Sequence, residues 1–156
     1  MQSDSLVTAL FTVGLGLFVF GAERFLEKLV IEPVQEQTRL RADIAFQMVF
    51  LAPLYTSGPP HPDNPMFAKL HQQAVDASAL LRKQACQLRA NALSIPWYRF
   101  WRMLRLVQGR ADVLEASRYL IGLSNNILRD DLRGLEKNHE FAKDILSLLD
   151  MKEALN

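Results

Sequence analysis

The chain has 156 residues, room for one domain with a short appendage. It is 49% apolar and 22% charged, which excludes wholesale disorder, and a formal net charge of +1 excludes a global basic field for nucleic acid. The charge is unevenly placed: Arg82 to Arg118 holds eight Lys/Arg against two Asp/Glu, and Tyr119 to Asn156 holds five against seven. The one cysteine, Cys86, excludes an intrachain disulfide, fits a reducing compartment and reads as a small buried or half-buried apolar residue.

The first element predicted is a long apolar helix. Ser5 to Ala22 reads "SLVTALFTVGLGLFVFGA" without a charge. Eighteen such residues rise about 27 Å, nearly the hydrocarbon thickness of a bilayer. Met1 to Asp4 carries an acid and no Lys or Arg, unlike the start of a secretory signal, so the expectation is an uncleaved anchor. Arg24, Lys28, Arg39 and Arg41 all follow the apolar run, which predicts the N-terminus outside and the remainder in the cytoplasm. Ser5, Ala9, Thr12 and Gly16 fall on one face of this helix, and such small-residue stripes let two helices approach closely.

Pro33 predicts a kink or restart, followed by a second helix over 34–52. Five prolines between positions 53 and 65 predict a loop. Asn64 and Pro65 then form a helix start. From there to about Ser94, Phe67, Leu70, Ala74, Ala77, Leu81, Gln84, Leu88 and Asn91 alternate spacings of three and four, a heptad seam suited to close antiparallel packing in a bundle or to an intermolecular coiled coil.

Pro96 ends that helix, and "PWYRFWRMLRLVQG" predicts another that stops at Gly109. On a helical wheel, Trp97, Phe100, Trp101, Leu104 and Val107 share one face, and Arg99, Arg102 and Arg105 take the other. Two readings follow. In one, Trp97, Arg99, Phe100, Trp101, Arg102, Leu104 and Arg105 lie on a membrane surface, aromatics in the acyl boundary and arginines on anionic headgroups. In the other, the aromatics fill the core and the arginines meet acids of the last helix. A helix from Arg110 to about Asp130 turns Val113, Leu114, Ser117, Leu120, Ile121, Ser124, Ile127 and Leu128 to one side, and a last helix carries Leu135, Ala142, Ile145, Leu146 and Leu149 inward.

Together these elements predict an all-α protein: a single-pass transmembrane anchor over 1–31 and a small cytoplasmic helical bundle over 32–156 with a proline-rich loop at 53–65. No phosphate loop, zinc spacing or nucleophile motif occurs, and His61, His71 and His139 are scattered, so no catalytic residue, cofactor or metal ligand is predicted. Asp130 and Asp131 point about 100° apart on a helix and form no carboxylate pair unaided.

The membrane helix, "PVQEQ" at Pro33 to Gln37, "SIPWY" at Ser94 to Tyr98 and "EASRYLIGLSN" at Glu115 to Asn125 together resemble small uncharacterised bacterial single-pass membrane proteins with a helical cytoplasmic domain. That resemblance implies an inner-membrane location and no activity. The function expected is a membrane-anchored interaction or scaffold module, not an enzyme, that self-associates or recruits a partner at the cytoplasmic face. Its partners would be membrane lipids and a second copy or a membrane protein, with no nucleic acid. Two alternatives stand beside it: a membrane-active effector of the defence or toxin type, and an enzyme acting on a lipid headgroup.

Overall fold

The computed structural model describes residues 2–57, 65–129 and 132–151, and of residues 2–9, 30 and 132 the backbone alone. These residues form helices and no strand: α1 (Gln2–Leu26), a π-turn (Glu27–Ile31), α2 (Glu32–Phe50), α3 (Ala52–Ser57), α4 (Phe67–Ser94), α5 (Tyr98–Met103), α6 (Arg110–Asn126) and α7 (Leu132–Leu148). The all-α expectation is met.

The expectation of a transmembrane anchor, and with it a single-pass inner-membrane location, is corrected. Among the described residues no helix is long and apolar enough to cross a membrane. The side chains described fall short of a span on two counts. The uncharged side chains described run from Leu10 to Ala22, about 20 Å of helix against a hydrocarbon core of about 30 Å. An eighteen-residue stretch begun at Leu10 takes in Glu23, Arg24 and Glu27.

Helices α1 and α2 form one rod, and the π-turn between them has an identifiable cause. Pro33 lacks an N–H, and its ring would strike the Leu29 carbonyl in a regular α-helix. Widening the turn relieves that clash, and the Glu32 N–H reaches back five residues to the Glu27 carbonyl. The Asn91 side chain of α4 then donates to the Pro33 carbonyl at 2.9 Å, tying the junction to the bundle.

The bundle is α2, α4, α6 and α7 around one core, with α3 against α7. The predicted seam of α4 is the buried stripe: Ala74, Ala77, Leu81, Gln84, Leu88 and Asn91 are buried, and Phe67 and Leu70 half-buried. The seam packs within the chain, against α6 and α2. Ser78 donates to the Ser124 carbonyl at 2.7 Å and Arg82 to Asn125 at 2.6 Å, which fastens the middle of α4 to the C-terminal end of α6. Ala77, Ala85 and Ala92 of α4 and Ala116 and Ser117 of α6 are all buried, and such small side chains allow a close approach. On the α7 side, a Cβ added at Gly122 would lie 3.0 Å from the Phe141 ring, so glycine sets the α6–α7 spacing.

Two side chains from elsewhere close the end of α7. Arg41 donates through Nε at 3.1 Å, and through a second guanidinium nitrogen, to the Leu149 carbonyl. Gln108 donates to the Leu148 carbonyl at 2.9 Å. A helix C-terminus carries unpaired carbonyls and partial negative charge, so a guanidinium there satisfies both.

Candidate functional site

Two surfaces stand outside the core, and the first is the segment from Trp97 to Leu106. Ile95 is extended because the residue before a proline is barred from the helical region, and this ends α4. Trp97 then takes a left-handed conformation, φ 48°. Helix α5 lasts six residues and leaves through a Schellman turn. In it Leu106 N–H bonds the Trp101 carbonyl, Arg105 N–H bonds the Arg102 carbonyl (both 3.0 Å), and Arg105 is left-handed at φ 58°. The long amphipathic helix expected up to Gly109 is therefore two short turns bracketed by left-handed residues. Gly109 instead starts α6, where an added Cβ would strike the Asp112 carboxylate.

This local geometry changes which aromatic faces inward. Tyr98, assigned to neither face of the wheel, is the buried one. Its hydroxyl donates to the Gln108 carbonyl at 2.6 Å and accepts from the Gln37 side chain at 3.0 Å. Burial pushes its pKa upward, against the opposing influence of the Gln37 hydrogen bond and of Arg110, whose guanidinium lies 6.0 Å from the ring centre. Val107 is also buried. Trp101 is half-buried, donates its indole N–H to the Pro96 carbonyl at 3.1 Å and braces Phe100 edge to face.

The other candidates of this segment are brought together on the outside. Trp97 is 69% exposed, and Arg99, Phe100, Arg102, Leu104 and Arg105 are exposed too. Met103, on the apolar side of the wheel, and Leu106 are exposed beside them. The expected alternative, arginines pairing with acids of the last helix, is not what is seen: among the described residues the one ion pair is Arg24 with Glu27, at 2.7 Å. An open recess lined by Trp97, Tyr98, Arg99, Phe100 and Arg110 lies against the bundle.

The second surface is α1. Every side chain described there, from Leu10 to Leu26, is exposed. Thr12 and Gly16 of the small-residue stripe lie on it; the side chains of Ser5 and Ala9 lie outside the described residues. A Cβ added at Gly14, Gly16 or Gly21 would meet nothing within 4 Å.

Two further clefts lie on the bundle. One, lined by Glu32, Glu36, Arg39, Asn91 and Ser94, is polar; another, lined by Phe50, Leu51, Leu54, Leu70, Asp76 and Leu80, is mostly apolar. In the polar cleft the Ser94 hydroxyl donates to the Asn91 carbonyl at 2.8 Å. No group of His, Cys, Asp or Glu among the described residues is placed to hold a metal ion. His71 stacks on Phe67 and His139 is exposed; His61, Asp130 and Asp131 lie outside the described residues. Cys86 is exposed on α4, where a buried or half-buried place was expected.

No family model matches the chain, nor does any curated protein or solved structure.

Proposed function

We propose that this chain is a helical interaction module, not an enzyme, and that it self-associates through α1. The observation that carries the reading is the state of that helix. Leu10, Phe11, Val13, Leu15, Leu17, Phe18, Val19 and Phe20 each stand at least half in the open, on all sides of the rod. A helix apolar all round is buried in its working state, and a lone chain seldom leaves so large an apolar patch uncovered. The chain's own bundle leaves α1 uncovered. A second copy brings an identical apolar rod, and the glycines leave room for its backbone to come close.

The test is a Gly16→Leu variant of the full chain, followed by light scattering in mild detergent. Within one chain the substitution meets open space. It should also favour the isolated helix by about 1 kcal/mol, since glycine is a poor helix former. Between chains the new side chain separates the backbones. The expected result is a lower assembly mass with undiminished helical content. An unchanged mass would take this face out of the contact.

A further inference from the structure

We infer that the segment from Trp97 to Leu106 docks on an anionic membrane surface, independently of how α1 is covered. Three observations meet there. First, Trp97 occupies a left-handed conformation that is unfavourable for an L-residue and that glycine adopts freely. Its indole nevertheless projects outward while Tyr98 and Val107 fill the core. A strained, exposed tryptophan contributes little to the bundle, which directs attention to something outside the chain. Second, Trp97, Phe100, Met103, Leu104 and Leu106 are all exposed within ten residues. They belong to a short helix and its exit turn. Third, Arg99, Arg102 and Arg105 are exposed on the same segment, and among the described residues none of them is in an ion pair. Arg110 lies beside them, and Asp112, at the foot of α6, is the one acid among the charges acting on Tyr98.

The charge selects an anion, and the apolar side chains select its form. An acidic peptide would engage the arginines alone, whereas exposed apolar side chains interleaved with arginines match a lipid interface. The apolar tips enter the acyl boundary and the guanidinium groups meet phosphates. Arginine suits this role because its planar fork binds phosphate oxygens in pairs.

The experiment uses the full chain with vesicles of phosphatidylcholine alone and of phosphatidylcholine mixed equally with phosphatidylglycerol. Binding is read by co-sedimentation and by tryptophan emission. The wild-type chain should prefer the mixed vesicles, with emission shifting to the blue on binding. The Arg99→Gln, Arg102→Gln, Arg105→Gln triple variant should lose roughly a hundredfold in affinity for them, three surface charges' worth. Trp97→Gly is the second arm. It relieves the left-handed strain, so thermal stability should hold or rise while affinity falls; a purely structural tryptophan would show the reverse. Equal binding to both vesicle types, unchanged in the triple variant, would overturn the inference and assign lipid contact to α1. Failure to bind either vesicle would overturn it as well. Capture of wild type and Trp97→Gly alike by soluble polyglutamate, with no preference for the mixed vesicles, would replace the lipid with an acidic protein.

Discussion

Tyr98 shows how one hydroxyl decides the fate of its neighbours. It is the junction of α2, α5 and the turn before α6, through Gln37 and Gln108. Gln37 is nearly fully buried, and its side-chain carbonyl already lacks a partner. Tyr98→Phe should strand the Gln37 amide as well and cost about 1–3 kcal/mol, measured by chemical denaturation. The same residue predicts alkaline behaviour. Burial raises the pKa of both Tyr98 and Tyr55, so the unfolded chain gives up its protons first. The stability these two tyrosines contribute is complete below about pH 10 and falls as pH rises through their folded pKa values. A Tyr55→Phe, Tyr98→Phe double variant should show a shallower alkaline loss than wild type. None of this was legible from the wheel, which treats position in the helix as the only determinant. The short α5 was hidden for a related reason. Its stop signal is Arg105, and that of α7 is Asp150, both left-handed Schellman residues where a sequence reader looks for glycine.

At the scale of elements, periodicity carried well wherever a helix is long and packs on one side. The α4 seam was readable because 28 residues repeat the three-four spacing against a single neighbouring layer. Polar Gln84 and Asn91 belong to it too, both buried; Asn91 is there to reach the Pro33 carbonyl. Leu88 is fully buried in the middle of that seam. Leu88→Ala should cost 2–5 kcal/mol, the usual range for such a truncation, seen as a lowered denaturation midpoint. An exposed control on the same helix, Arg89→Ala, should stay within about 0.5 kcal/mol of wild type. What the pattern missed was the nature of the α1–α2 junction. Pro33 announced a break, yet the chain answered with a wider turn that keeps the rod continuous. A proline's cost in a helix depends on whether the preceding turn can yield, and that is a property of the backbone rather than of one residue.

The whole molecule is a packed bundle with an apolar rod attached, and the two parts obey different rules. The bundle buries its own seams, so its sequence could be read as a closed account of inward and outward faces. The rod could not: its uncharged composition suggested a membrane span, whereas among the described residues no helix is long and apolar enough for one. If a second copy covers this rod, cysteine trapping at Gly16 captures the pair. Cys86 is first replaced by serine, leaving Gly16→Cys the sole thiol in the full chain. Its Cβ enters open space, so the fold is undisturbed. Mild oxidation at low protein concentration should yield a covalent species of twice 17.8 kDa, because disulfide formation requires the two backbones to lie within about 7 Å. A chain that stays at 17.8 kDa under those conditions, with cysteine placed in turn at Gly14, Gly16 and Gly21, would contradict the claim.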